Sequence, residues 1–321
     1  MSCQQGQNQG WIYRERVPPT AAGQSVLNYY SDRYGHSSRA EWHARILAGQ
    51  ILLEGQVINP DTPLKRGQHL AYHRLPWSEP EVPLDFEILY EDSDVLAVSK
   101  PAGLPVLPGG GFLQHTLLHQ LKQHYPTDTP VPIHRLGRGT SGVLLLARSP
   151  LAKAHLSQQM RQSSVAPSIS ERTLQKTYRA LVGPSIGARD LGDRFTLTTP
   201  IGKLPHPLLG YVYGSTPAGL PAYSEGQVLA RSPQQTLVEV TIRTGRPHQI
   251  RIHLAAAGYP LIGDPLYTVG GIPRLTPPAG GTKLPVPGDI GYYLHACHLR
   301  FLHPRLEKSI AIACEPPPIL R

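Results

Sequence analysis

His134-Arg135-Leu136-Gly137-Arg138-Gly139-Thr140-Ser141-Gly142 places three glycines within six positions. This G-x-G-x-x-G spacing is typical of loops that bring a dinucleotide pyrophosphate to a helix N-terminus. The surroundings exclude that interpretation, because the apolar residues 143–147 predict a strand where a helix is required. In addition, no acidic residue lies between Gly142 and Glu171 to bind a ribose. The segment is therefore a turn that leads into a buried strand.

A second informative segment runs from Thr244 to Leu254 and reads TGRPHQIRIHL. Ile250, Leu254 and Ala257 recur at positions i, i+4 and i+7, which predicts a helix with one buried face. Arg251 projects off that face, so the segment predicts a cationic side chain on a helix that is otherwise packed against the core.

Local patterns organise the preceding part of the chain. Ser38 followed by Glu41 three residues later forms a capping box, which predicts a short helix. Residues 50–59 predict a strand and turn. Residues 86–90 and 95–98 predict a hairpin, because an acidic turn with serine separates two apolar runs.

The charge is basic and unevenly distributed. The chain has 31 Lys and Arg against 22 Asp and Glu, and seven of the acidic residues crowd into residues 79–94. Elsewhere, 31 basic residues face 15 acidic ones. Such an excess favours a polyanionic partner, since cation–phosphate contacts release counterions. A merely soluble basic protein is the alternative.

Composition gives little sign of metals or membranes. Cys3, Cys297 and Cys314 have no metal-ligand spacing, which fits a reducing, cytoplasmic setting. The first ten residues lack the apolar core of a signal peptide, and no apolar run approaches membrane-spanning length. We therefore expect no membrane partner.

Two further enzyme classes are disfavoured. His115 and His119 fall at i, i+4 on a predicted helix with His124 nearby, a spacing that zinc enzymes use, but no third ligand has a fixed place. We expect solvated histidines and no metal. Ser141 does not lie in G-x-S-x-G, so an acyl-transfer enzyme is not indicated.

With Asp in place of Gly137, residues 134–142 would reproduce the His-Arg-Leu-Asp-Arg-x-Thr-Ser-Gly motif of the RluA family of RNA pseudouridine synthases. Residues 244–253 resemble that family's Thr-Gly-Arg-x-His-Gln-Ile-Arg-x-His motif without a departure. Residues 100–103 and 176–178 resemble its Lys-Pro-x-Gly and Lys-x-Tyr motifs. The resemblance implies an α+β pseudouridine synthase fold, with a mostly antiparallel mixed sheet and a central, positively charged cleft.

The N-terminal part resembles an S4 RNA-binding domain, on the helix start Ser38-Arg39, the segment 54–59 and the ending Lys65-Arg66-Gly67-Gln68. A generic helix and hairpin with solvated charges is the alternative. The expected organisation is a disordered tail over 1–17, a small S4-like domain over 18–77, a linker over 78–84 and a pseudouridine synthase-like catalytic domain over 85–321.

The resemblance also implies site residues. Tyr178 would stack on the target base and act as or position a general base, and Arg251 would pair with the catalytic aspartate. The reaction needs no cofactor, and a monomer is expected. The residues expected to bind RNA are Arg39, Lys65, Arg66, Lys100, Arg135, Arg138, Arg246 and His248.

Gly137 stands at the position of the catalytic aspartate and cannot act as a nucleophile. A buried Arg251 without a partner would be costly, so we expect it to face water or to pair with a different carboxylate. Glu171 and Asp264 are the candidates, although Asp264 is expected to cap a turn. The sequence predicts a pseudouridine synthase of ribosomal or transfer RNA with a nonstandard or displaced nucleophile, or an RNA-binding homologue without catalysis.

Overall fold

A computed structural model describes residues 6–165, 174–184, 191–277, 280–281 and 283–321. The chain divides into two compact units, Met1–Glu79 and Pro80–Arg321. Within the described residues, no helix is both long enough and apolar enough to cross a membrane.

The first unit is a four-stranded sheet with two helices. Its strand order is β1-β4-β2-β3, and every pairing is antiparallel. The elements are β1 (Trp11–Arg16), α1 (Val26–Arg33), α2 (Arg39–Leu47), β2 (Ile51–Leu53), β3 (Gln56–Val57) and β4 (His69–Arg74).

Local chemistry explains the predicted part of this unit. The Ser38 hydroxyl accepts a hydrogen bond from the Glu41 N–H, and the Glu41 carboxylate accepts one from the Ser38 N–H, which confirms the capping box. Gly49 follows the helix at φ +70°, a conformation that glycine adopts without strain. Trp42 and Ile46 then bury one helix face in the core.

The expectation of a disordered tail over residues 1–17 is wrong for Trp11–Arg16. This segment is strand β1, which pairs with β4 from Trp11 opposite Arg74 to Arg16 opposite His69. The backbone of β1 gains its hydrogen bonds from a strand more than fifty residues away, so no local pattern near the N-terminus announces it.

The second unit is built on a ten-stranded mixed sheet in the described part of the chain. The sheet follows the order β10-β13-β14-β9-β17-β8-β6-β5, with β7 paired to β8 and β18 to β17. Its strands are β5 (Glu87–Glu91), β6 (Val95–Lys100), β7 (Val131–Pro132), β8 (Ser141–Ala147), β9 (Gln175–Val182), β10 (Arg194–Leu197), β13 (Ser224–Arg231), β14 (Thr236–Ile242), β17 (Leu294–Leu302) and β18 (Ser309–Ala313).

Among the described residues of this unit, three α-helices and two short hairpins accompany the sheet. They are α3 (Leu117–His124), α4 (Pro150–Val165), α5 (Gln249–Ala256), β11 (Ile201–His206) with β12 (Gly210–Ser215), and β15 (Tyr267–Thr268) with β16 (Ile272–Pro273). The predicted hairpin is confirmed by the antiparallel pairing of β5 with β6, and the predicted α+β class with a mixed sheet is confirmed as well.

Helix α5 is buried on more than one side. Ile250 and Leu254 belong to the main core, whereas Ile252 and Ala255 pack in a separate cluster with the β11–β12 hairpin. A helix enclosed in this way places even its charged side chains inside the protein, and Arg251 is 2% exposed.

Near the centre of the sheet β17 pairs with β8 in parallel, the one parallel pairing among the described strands. A Cβ atom on Gly142 would lie 2.2 Å from the carbonyl oxygen of Ala296, and Gly142 has φ +106°. Only glycine fits at this crossing. The motif glycine therefore permits the contact that brings residues 134–142 to the segment before β17.

Candidate active site

The motif loop lies between β7 and β8. The Thr140 N–H donates to the Gly137 carbonyl at 3.0 Å, which closes a turn, and Leu136 is buried in the main core. The Ser141 hydroxyl lies 2.9 Å from Nδ1 of His295, whose Nε2 faces the Cys314 carbonyl at 3.2 Å. Nε2 is thus the donor and Nδ1 accepts from Ser141, so this serine ties the loop to β17.

Lys100 has a structural position. Its side chain is fully buried, and Nζ donates to the carbonyls of Pro101 at 2.7 Å, Leu104 at 2.8 Å and Arg138 at 3.4 Å. Burial lowers the pKa of Lys100 to about 7, while the three carbonyl oxygens favour its charged form. The expected RNA contact of Lys100 is therefore wrong for this conformation, because its ammonium group is enclosed and holds two loops together.

Gly137 is not required by its own backbone, since its φ lies outside the left-handed region. A Cβ atom at this position would lie 3.0 Å from the hydroxyl of Tyr292 and 3.5 Å from the Thr140 hydroxyl. The Thr140 and Tyr292 hydroxyls are 3.4 Å apart. The phenol of Tyr292 thus occupies space that a side chain at 137 would enter.

Arg251 pairs with Asp264 in a buried, bidentate ion pair. Nε and Nη2 each donate to a carboxylate oxygen at 2.7 Å, and both side chains are almost inaccessible. Burial opposes the charge, but the hydrogen bonds from Arg251 to Asp264 raise the arginine pKa above its ordinary value. The expectation that Arg251 pairs with a different carboxylate is confirmed, and Asp264 is that carboxylate.

Asp264 also caps a turn, as expected from the sequence. Its Oδ1 accepts from the backbone N–H groups of Leu266 at 2.9 Å and Tyr267 at 3.1 Å, so it caps the turn. With both oxygens occupied and the side chain buried, Asp264 has no freedom to attack a substrate. Glu171, the other candidate carboxylate, lies outside the described residues.

Two aromatic rings flank the Arg251 guanidinium. Its Cζ lies 4.2 Å from the ring centroid of Tyr292 and 5.0 Å from that of Tyr267. Nη1 is buried and makes no hydrogen bond within the part of the chain that the structure describes. Most buried donors are hydrogen-bonded, and this nitrogen is one of five buried side-chain nitrogens in the described residues that are not.

Tyr178 lies in β9, opposite Ala296 of β17 on one side and Val240 of β14 on the other. It is 7% exposed and belongs to the same hydrophobic cluster as Leu136 and Tyr292. Burial raises the pKa of Tyr178, so its phenol is protonated at neutral pH. A neutral phenol can stack on a base and donate a hydrogen bond.

The segment before α5 is held by one glutamine. Gln249 accepts from the Thr244 hydroxyl at 2.8 Å and the Arg246 N–H at 3.0 Å, and donates to the Tyr223 carbonyl and the Ser224 hydroxyl. These bonds satisfy a buried polar side chain and explain why the segment combines threonine with glutamine.

His248 adopts φ +56°, a strained conformation for a residue other than glycine. The Tyr267 hydroxyl donates to the Tyr213 carbonyl at 2.7 Å and lies 2.7 Å from Nδ1 of His248, so the histidine nitrogen is the donor. Burial, with a contribution from Arg251, lowers the pKa of His248 to about 3. His248 is therefore neutral and, although half-buried rather than enclosed, has little capacity to bind phosphate by charge.

The remaining predicted RNA ligands are accessible to differing degrees. Arg135 is exposed, whereas Arg138 is half-buried and donates to the Gly288 carbonyl at 2.7 Å; Arg246 is half-buried and donates to the Pro221 carbonyl at 3.0 Å. In the first unit, Arg39, Lys65 and Arg66 are exposed.

The sequence did not point to Tyr292, because it belongs to none of the motifs described above and lies 155 positions from Gly137 in the chain. It also misplaced His115, which lies before Thr116, the N-cap of α3, so that His115 and His119 do not share a helix face.

Comparison with known proteins agrees with this geometry. Residues 94–256 match the family model described as RNA pseudouridylate synthase. The chain is 48% identical to an uncharacterized RNA pseudouridine synthase of Synechocystis sp., over 92% of this chain and 95% of the relative. It is 32% identical to ribosomal large subunit pseudouridine synthase D of Pseudomonas aeruginosa, over 89% and 85% of the two chains.

A solved structure shows the same fold. Human RNA pseudouridylate synthase domain containing 1 matches with a TM-score of 0.54 at 22% identity, over 76% of this chain and 89% of that chain. Because the family model covers half of the chain and relatives of more than 30% identity match over most of their length, this chain belongs to the RNA pseudouridylate synthase family.

Proposed function

We propose that the protein isomerises uridine to pseudouridine in structured ribosomal or transfer RNA, using a catalytic group other than an aspartate at position 137. The family reaction breaks the bond between uracil N1 and ribose C1′, turns the base and rejoins it through C5, without a cofactor. The observation that carries the proposal is the retained site, in which Arg251 stays buried and charged beside a loop that has lost its carboxylate.

A site with no function would not keep this arrangement without cost. A buried cation is tolerated only with a partner, and here Asp264 supplies the partner while Nη1 stays available. In the proposed reaction, Arg251 stabilises negative charge as the base departs, and Tyr178 stacks on the uracil and donates a hydrogen bond.

RNA binding is proposed for the accessible cations. Arg135 would contact phosphate beside the site, with Arg138 and Arg246 supporting the RNA backbone. In the first unit, we propose an S4-like RNA-binding domain over residues 18–77 that uses Arg39, Lys65 and Arg66. The ribosomal target named for the Pseudomonas relative makes ribosomal RNA the first RNA class to test.

An RNA-binding homologue without catalysis is the second candidate. It is favoured by one observation: among the described residues near Gly137, Asp264 has both carboxylate oxygens occupied by hydrogen bonds. Such a protein would hold or remodel RNA. Both candidates predict RNA affinity that falls with salt, so affinity alone does not separate them.

The deciding experiment measures tritium release from RNA labelled at uridine C5, taken from cells that lack this protein. Wild type is compared with Tyr178→Phe and Gly137→Asp. Release by wild type that falls roughly 100-fold or more in Tyr178→Phe supports catalysis. A silent wild type with release gained in Gly137→Asp would establish the second candidate.

The restored aspartate needs space. Its Cβ would lie 3.0 Å from the Tyr292 hydroxyl, so Gly137→Asp is also made together with Tyr292→Phe, which removes that oxygen. The double variant keeps a gain of activity from being hidden by a clash.

A further inference from the structure

The proposed function leaves its catalytic group unassigned, and one reactive oxygen beside Gly137 has no role in it. Tyr292 lies two residues before the start of β17. In the sheet, β17 pairs on one side with β8, which follows the motif loop, and on the other with β9, which holds Tyr178. The central strands of the sheet therefore bring Tyr292 to the loop.

The position of this phenol relative to Gly137 is the main observation. Its oxygen lies 3.0 Å from the place that a Cβ atom at 137 would occupy. The Tyr292 hydroxyl is thus within contact distance of the first side-chain atom that any residue other than glycine would place at 137.

The electrostatic surroundings suit a group that gains and loses negative charge. The Arg251 guanidinium stacks on the Tyr292 ring with a separation of 4.2 Å, and its Nη1 makes no hydrogen bond in the described ranges. Among the described residues, the Tyr292 hydroxyl contacts the Thr140 hydroxyl, at 3.4 Å. The phenol is therefore fixed by its ring and only weakly engaged at its oxygen.

Other nucleophiles at this place are less suitable. Asp264 is buried and holds Arg251 and two backbone N–H groups. Thr140 and Tyr292 are buried to the same degree, at 4% and 5% exposed, but an aliphatic hydroxyl needs an adjacent base, which no described contact of Thr140 provides. A tyrosine, by contrast, serves as the nucleophile at an anomeric carbon in sialidases.

We infer that Tyr292 is the nucleophile of this protein, its phenolic oxygen replacing the carboxylate that Gly137 lacks. The inference rests on the proposed function, because it names the catalytic group of the same site. Gly137 then has a purpose, since any side chain there would crowd the attacking oxygen.

The reaction balances without an external reagent. The Tyr292 oxygen bonds to ribose C1′ while the C1′–N1 bond breaks. The electron pair of the broken bond stays with the uracil, and the phenolic proton is transferred to N1. The base turns, C5 bonds to C1′, and the C1′–oxygen bond breaks with its electron pair returning to the phenolate. The proton lost from C5 then restores the phenol. The net change is uridine to pseudouridine.

The test is tritium release and RNA binding by Tyr292→Phe, with C5-labelled RNA from cells lacking the protein as the probe for both. The variant keeps the ring on Arg251 and removes only the oxygen. Tyr293→Phe is the matched control, because Tyr293 is the adjacent residue, is 38% exposed and lies outside the proposed site. The Gly137→Asp, Tyr292→Phe double variant supplies the family carboxylate.

The expected result is release reduced by roughly 1,000-fold or more in Tyr292→Phe, with RNA affinity within about twofold of wild type and Tyr293→Phe unchanged. Release retained in Tyr292→Phe would overturn the assignment and leave the synthase function standing. Loss of release together with RNA affinity would also overturn it, since Tyr292 would then only shape the site. A wild type without release would reject the proposed function itself.

Discussion

Replacing Asp264 by Asn tests how the site keeps its cation. The Arg251 and Asp264 side chains are 3% and 1% exposed and share two hydrogen bonds of 2.7 Å. Asn retains an oxygen for the N–H groups of Leu266 and Tyr267, but its NH2 group replaces the oxygen that accepts from Nε of Arg251, so the change removes the charge and one acceptor of the pair. Leaving one half of a buried pair uncompensated costs about 3–5 kcal/mol, which corresponds to a melting point lower by about 6–20 °C in a unit of this size.

Far-ultraviolet circular dichroism during thermal and urea unfolding is the suitable assay for Asp264→Asn. Tryptophan fluorescence reports on the first unit alone, because Trp11, Trp42 and Trp77 all lie there. Adding Arg251→Met should recover part of the loss, since the double variant removes the unpaired charge. A cost below about 1 kcal/mol for Asp264→Asn, or a double variant that costs the sum of the two single variants, would refute the role of the pair.

Three further outcomes are expected. Arg135→Gln should reduce the slope of log affinity against log salt by about one, whereas Lys100→Met should leave the slope unchanged because its ammonium is enclosed; filter binding at several salt concentrations compares them. His134 and His253 have pKa values lowered by burial to about 3 and about 4, so the unfolded chain binds more protons below pH 6.5. The free energy of unfolding should therefore be retained above pH 6.5 and fall as the pH drops toward 4. The expected loss at pH 5 is roughly 2 kcal/mol per histidine. Urea titrations measure this free energy, and a value that does not change with pH would contradict the buried neutral state. Gly142→Ala should cost about 4 kcal/mol or more and yield insoluble or unfolded protein, because the added methyl group meets a backbone carbonyl; a soluble variant of normal melting point would disprove the close strand contact.

The features that sequence predicted correctly are those with local causes. The Ser38–Glu41 capping box spans three residues, and the hairpin of β5 and β6 is set by the turn that joins its strands. For Arg251 the sequence left two alternatives, exposure to water or pairing with a different carboxylate, because a buried cation must be compensated; the structure shows the second.

The features that sequence missed depend on partners far along the chain. Strand β1 exists because β4 pairs with it, and Lys100 is enclosed by a loop carbonyl 38 positions away. The proximity of Tyr292 to Gly137 spans 155 positions and requires the register of β17 against β8. No local sequence pattern around Tyr292 or Gly137 predicts that the two residues are close.

The parallel pairing of β8 with β17 also determines when the site can form during translation. Residues 134–142 emerge early, but the strand that brings Tyr292 beside them is translated only after residue 290. Residues 134–142 cannot make their contacts with the segment at β17 before that strand is translated, and contacts distant in sequence form late and at high entropic cost. A nascent chain halted before β17 would therefore carry the motif loop without Tyr292 beside it.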